Sequence, residues 1–295
     1  QMSSAYNNNR FNNLNSLRLD SSNNKNELLE FLFYQNDKVK NKSSVSNSFL
    51  DIVRSSYANR DVNYSQNYNF LLFYASLSIL INSQNFEAIF IKGQLLQLID
   101  DFVFAEKTYL KIPENSEYFI DAQRNIAFNY SRESVFTDAE DKIIKIVKKN
   151  NSDYELKKIL ADFYRIKKKY NAAINLYTEL LEDNFEDAWS MFYLRGICYE
   201  RSDNWDKAEK DFIDSLKLKR NSPDVLNYLA YGWIERDTKI DESFVMLTDA
   251  YNANPDSYYI LDSLAWVYYK KKDYKKAAEL MEEVIDMVPG EAISL

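Results

Sequence analysis

The sequence predicts an all-α fold, a solenoid of antiparallel helix pairs, and three observations predict it. The 295 residues include only four Gly and four Pro. β-Sandwiches and barrels turn every ~8–12 residues and consume more of both, so helices joined by short polar turns fit better. Hydrophobic residues make up 46% and aromatics 15%, enough for a substantial core. The third observation is a repeat: a small residue followed three later by a large one recurs at Gly93, Ala127, Ala161, Gly196, Ala230 and Ala265. The starts are 34, 34, 35, 34 and 35 residues apart, and a period of this length marks stacked supersecondary units.

Taken in order, residues 1–24 are rich in Asn and Ser ("YNNNRFNNLNS") and offer too little apolar surface to offset the entropy of ordering. Residues 25–85 read as degenerate helical repeats. "KNELLEFLFYQNDKV" (Lys25–Val39) is one helix, and "SFLDIVRSSYANR" with "NFLLFYASLSILIN" forms a pair across a long polar connection. Six regular units follow, at 86–119, 120–153, 154–188, 189–222, 223–257 and 258–291. Residues 292–295 begin one more, which stops short, and the chain opens Gln1-Met2. It therefore reads as a piece of a longer protein.

Each unit has its marks at fixed offsets. Three residues after the small anchor come Leu96, Tyr130, Tyr164, Tyr199, Trp233 and Tyr268. The turn carries Phe102, Phe136, Tyr170, Trp205, Ile240 and Tyr274, and a small residue opens the second helix at Ala105, Ala139, Ala173, Ala208, Ser243 and Ala277. Two helices of this length cannot bury their apolar faces alone, and stacked neighbours supply the missing surface. Small residues belong where helices touch most closely, and the aromatics fill the space beside them. The one extra residue, in "IERDTKIDES", falls in an inter-helix turn, where insertion costs least.

Spacing and marks together resemble the tetratricopeptide repeat (TPR) family. The match is strongest in "FYLRGICYERSDNWDKAEKDF", "LNYLAYGWIER" and "YYILDSLAWVYYKKKDYKKAAELMEEVIDMVPGEA". These strings resemble the C-terminal half of long TPR proteins of Gram-negative bacteria, alphaproteobacteria especially. Some of those relatives are exported lipoproteins that act as adaptors of a C-terminal-processing protease. The resemblance implies a right-handed superhelix, a protein or peptide partner held in a concave groove, and an adaptor role in envelope protein turnover or assembly at a periplasmic or outer-membrane-associated location. The alternatives are a cytoplasmic assembly scaffold and the repeat arm of a longer enzyme, and this chain itself reads as non-enzymatic.

In that architecture the first helix of each pair lines the groove. Its displaced positions carry Phe128 and Ser131, Asp162 and Arg165, Ile197 and Glu200, Tyr231 and Ile234, Trp266 and Tyr269. One turn earlier lie Arg124, Lys158, Tyr193, Asn227 and Asp262. The candidate binding residues are thus Arg124, Phe128, Lys158 and Arg165 in the first half, and Tyr193, Tyr231, Trp266 and Tyr269 in the second. The cations suit a carboxylate or acidic segment. The aromatics suit apolar or aromatic side chains.

Composition excludes much else. With no His, Ser-His-Asp and Cys-His catalysis and His-based metal sites are ruled out. One Cys, Cys198, allows neither an intrachain disulfide nor a thiolate cluster, and it reads as a small buried hydrophobe. Four Gly cannot build a usual phosphate loop, so no cofactor is expected. A net charge of −8 argues against nucleic acid. The longest apolar run, Phe70–Ile81, is shorter than the ~20 residues a membrane span needs and reads as a buried helix. The apolar edge left at the last repeat invites self-association.

Overall fold

The computed structural model describes residues 42–58, 68–132, 138–182 and 187–288. The Asn-rich segment, the helix expected over Lys25–Val39, the turn aromatic Phe136 and the closing "PGEAISL" lie outside the described residues. Every regular element among the described residues is an α-helix. In chain order they are α1 (Lys42–Ala58), α2 (Tyr68–Ile81), α3 (Phe86–Leu98), α4 (Phe102–Tyr109), α5 (Phe119–Arg132), α6 (Ala139–Lys149) and α7 (Tyr154–Ile166). Then come α8 (Tyr170–Glu182), α9 (Ala188–Glu200), α10 (Trp205–Leu218), α11 (Pro223–Glu235), α12 (Ile240–Ala253), α13 (Tyr258–Lys270) and α14 (Tyr274–Met287). The chain divides into two compact units at Ile146 and Val147, inside α6.

In the first unit α1 packs on α2, α2 on α3, α3 on α4 and α4 on α5. Leu50, Val53, Ala75, Ala88 and Leu95 form the core of its early part. The helix begins at Lys42, six residues before the Ser48 where the apolar pattern starts. The reason is a buried polar knot. The Ser46 hydroxyl lies 2.9 Å from both the carbonyl and the hydroxyl of Ser78, and Asn85 Nδ2 donates to it at 2.9 Å. Asn85 also accepts from the Ala88 amide and so caps α3. A buried hydroxyl needs such partners, and satisfying Ser46 draws the polar first turn into the core. In α2 the buried residues are Ala75, Leu77, Ser78 and Ile81, while Phe70 is 40% exposed. The helix is half-covered, not buried as its composition suggests.

The second unit is a series of four pairs: α7 with α8, α9 with α10, α11 with α12 and α13 with α14. Each pair also packs on the next, and α11 touches α13 directly. The anchors behave as the repeat demands. Ala161 and Ala230 are fully buried and Ala265 nearly so. At Gly196 a methyl group would fall 2.7 Å from the Phe212 ring, so only hydrogen fits. The same close approach holds in the first unit, where a methyl at Gly93 would meet the Tyr109 ring at 2.3 Å. Gly232, which the sequence pattern did not mark, is held equally close by Trp205, 2.0 Å from a built Cβ.

The turns inside the pairs follow one plan. Seven residues after each anchor the backbone turns left-handed, at Asp100, Lys168, Asp203, Asp237 and Lys272. The next amide reaches back to the carbonyl of the large residue of the stripe: Asp101 to Leu96, Lys169 to Tyr164, Asn204 to Tyr199, Thr238 to Trp233 and Asp273 to Tyr268, all at 2.8–3.0 Å. This closes the last open carbonyls of the first helix in a Schellman motif. Asp101 and Asp273 then cap the second helix with their side chains. The extra residue of the α11–α12 turn is Lys239, itself left-handed with φ 47°. Its Nζ lies 2.6 Å from Glu209 Oε1 and 4.2 Å from the Trp233 ring centroid.

The stripe is structural. Trp233 is 7% exposed and its indole N–H donates to Glu209 at 2.7 Å. Tyr130 is buried and its hydroxyl donates to Glu106, the corresponding position in the first unit. Tyr268 meets Phe244 edge to face with centroids 5.2 Å apart. Cys198 is fully buried, and burial pushes its thiol up to about 12, so it packs as a hydrophobe.

Candidate functional site

The cations of the expected groove are already matched by the chain's own carboxylates. In the first unit Arg124 Nη1 lies 2.8 Å from Asp121 Oδ1, one turn away on α5. Phe128, on the same helix, is 40% exposed, with the Arg132 guanidinium 5.4 Å from its ring centroid. In the second unit Lys158 Nζ lies 3.5 Å from Asp187 Oδ2. Arg165 Nη2 is 3.3 Å from Asp162 Oδ1, and its Nε donates to the Tyr177 hydroxyl at 3.4 Å. That hydroxyl donates to Asp162 at 2.6 Å from a fully buried ring. Burial works against the Arg165 charge, but Tyr177 and Asp162 outweigh it and raise its pKa. An anionic partner would have to displace these carboxylates.

Close by, Arg195 makes a two-pronged pair with Asp211 at 2.7 and 2.8 Å and donates to Thr178 Oγ1 at 3.0 Å. Their side chains are 15% and 4% exposed. Sequence reading missed this pair, whose members are 16 residues apart on different helices. Tyr193 also departs from its expected place. It packs inward, edge to face on Tyr228 at 5.5 Å and 6.3 Å from Phe212, and burial followed by Tyr228 and Asp224 raises its hydroxyl pKa.

The faces of α11 and α13 are different. Tyr231 is 41% exposed and Tyr269 49%. Trp266 is half-buried and stacks flat on Tyr269, ring centroids 5.1 Å apart and planes 3° from parallel. The Lys270 ammonium sits 5.3 Å from the Trp266 centroid and is engaged by Asp237 at 2.7 Å. Polar groups here lack partners among the described residues. The buried indole N–H of Trp266 has no acceptor, and Asn227, only 7% exposed, has no donor to its Oδ1. Burial alone raises the Asp262 carboxyl above the usual range, with no donor or cation offsetting it. The Tyr231 hydroxyl is pushed up by burial and then by the carboxylates of Glu235, Asp262 and Glu200. Sequence reading located Asn227, Glu200 and Asp262 on this face but assigned its character to the rings alone.

Among the described residues no helix is long and apolar enough to cross a membrane, and no three His, Cys, Asp or Glu side chains are grouped to hold a metal.

Residues 160–225 and 260–292 match the tetratricopeptide repeat family. The chain is 24% identical over 105 residues to the TPR repeat-containing protein PA4667 of Pseudomonas aeruginosa, covering 36% of this chain and 18% of that one. It is 27% identical over 122 residues to BBSome complex member BBS4 of Bos taurus, covering 41% and 23%. The chain thus spans about a fifth of the length of these curated relatives. Among solved structures, Pseudomonas aeruginosa pilF superposes with a TM-score of 0.60 at 17% identity, over 70% of this chain and 92% of that one. A tetratricopeptide repeat protein of Parabacteroides merdae gives 0.57 at 21% identity, over 69% and 80%. Proteins built this way are in general non-catalytic scaffolds for protein interaction. Helix pairs at this period, small anchors in close contact and these likenesses together make the fold an all-α array of tetratricopeptide repeats.

Proposed function

We propose that this chain is a non-enzymatic scaffold that holds a peptide or protein segment against the first helices of its repeats, and that the binding face is the one built by α11 and α13. The observation that carries the reading is the exposed aromatic set, Tyr231 beside the stacked Trp266–Tyr269 pair, on two first helices in direct contact. Large rings held by stacking lose little freedom when a partner covers them, which is why such residues dominate interface energies. The specific role we assign is an adaptor in bacterial envelope protein turnover or assembly. What supports it is the sequence likeness of "LNYLAYGWIE" and "DSLAWVYY" to long alphaproteobacterial TPR proteins.

The test compares the parent chain with the Tyr231→Ala/Trp266→Ala/Tyr269→Ala variant on extract of the source cell. Circular dichroism first establishes that both are equally helical. Capture of an envelope protease or one of its substrates by the parent, lost in the variant, is the expected result. Equal capture by both chains would remove the aromatic face from the function. A cytosolic assembly as the captured partner would replace the adaptor role with a cytoplasmic one. Self-association through the last repeat is tested separately by sedimentation velocity, where a mass independent of concentration would end that idea.

A further inference from the structure

The α11–α13 face offers a half-buried carboxylate, Asp262, as well as exposed rings. On α11, Asn227, Tyr231 and Glu235 are spaced four residues apart and share one face. On α13, Asp262, Trp266 and Tyr269 follow at spacings of four and three and also share one face, and α11 packs on α13. Glu200, at the end of α9, is paired with Arg201, whose Nε lies 3.3 Å from its Oε2. Lys270, the cation on the same stretch of α13, is taken by Asp237.

We infer that this face recognises an extended peptide segment carrying a Lys or Arg, with the cation at Asp262 and the aliphatic stem along the Trp266–Tyr269 stack. This deepens the binding role proposed above and rests on it. Asp262 is half-buried one turn from Trp266 on the same face of α13, burial holds its carboxyl above the usual range, and a partly desolvated carboxylate is stabilised most by a cation brought into the same low-dielectric space. A second, independent observation points to a peptide. Asn227 is more than nine-tenths buried with its Oδ1 unmatched, one turn from Tyr231 on the same face. The Trp266 indole N–H is unmatched across the α11–α13 contact. One acceptor and one donor are what the N–H and C=O of an extended backbone complement. A flat aromatic pair accommodates a Lys or Arg stem and head better than a carboxylate, which its π faces repel.

The probe is a positional-scanning library of acetylated, amidated 11-residue peptides with one fixed residue in each pool. It is read by fluorescence anisotropy against the parent chain, Asp262→Asn, and the triple aromatic variant. The charge variant is nearly isosteric and removes desolvated charge, so its fold is retained, which thermal melting verifies. The expected result is selection of Lys or Arg pools by the parent, ~10-fold weaker binding in the charge variant, and progressive loss with added salt. Selection of acidic or purely apolar pools, lost in the aromatic variant but unchanged in the charge variant, would overturn the cation assignment and leave the binding face standing. Equal binding of every pool by all three chains would overturn both.

Discussion

Within the second unit, the α7–α8 pair and the α11–α13 face handle polar side chains in opposite ways. Around Arg165 every charge is answered: Asp162 accepts from Tyr177 and Arg165, and Lys158 pairs with Asp187. Around Tyr231 the polar atoms are left open, with Asn227, Asp262 and the Trp266 N–H waiting for partners. Both regions occupy the same offsets in their repeats. The lesson is that a charge at a groove position carries no ligand information until its neighbours are known. The closed region contributes to stability, and the open one is where the proposed partner would bind.

Three substitutions break or sharpen that contrast. Arg195→Met should have the largest effect, lowering stability by ~3–5 kcal/mol, because it leaves the Asp211 carboxylate buried and alone. A urea melt reads it, and a loss below ~1 kcal/mol would mean that this pair, on α9 and α10 and joined to α8 through Thr178, is not desolvated. Tyr177→Phe should cost ~1–2 kcal/mol by removing the hydroxyl shared by Asp162 and Arg165.

Asp262→Asn should act with the opposite sign and the smallest size, stabilising the unbound chain by roughly 0.5 kcal/mol at neutral pH. The sign follows from burial. The folded carboxyl holds its proton more tightly than the unfolded one, so its contribution is fully present below the unfolded pKa. It is lost as pH rises through the higher folded value. Melts of parent and variant should therefore nearly coincide in acid and separate as pH climbs through that window. Curves that separate toward acid instead would show Asp262 to be paired.

The repeat frame was legible because its signals are local. A small residue, an aromatic three later and a turn six after that lie within ten residues, and the close contacts at Gly93 and Gly196 follow from them. The early start of α1 was not legible, since it depends on Ser46 meeting Ser78 and Asn85, 32 and 39 residues away. The exposed face of the first helices was half legible. Position placed Tyr231, Trp266 and Tyr269 on one outward face, where Tyr231 and Tyr269 are exposed and Trp266 is half-buried. The same rule placed Tyr193 beside them, and Tyr228 and Phe212 drew it inward. It also offered Arg124, Lys158 and Arg165 as anion contacts. Asp121 and Asp162, each three residues away, could have warned of neutralisation, whereas Asp187, 29 residues from Lys158, could not.

The left-handed residues that close the first helices are Asp and Lys, not the Gly that suits such a position. Each keeps a backbone strain of ~1 kcal/mol that a glycine would relieve. In an array whose repeats couple chiefly to their neighbours, that strain stays where it is placed. Exchanging Lys168, Asp203 or Lys272 for Gly would therefore change how readily one repeat unzips relative to the next. The turns act as separate set-screws on a zipper: they adjust where the array first opens to a protease or to heat, while the exposed faces of the first helices are left untouched.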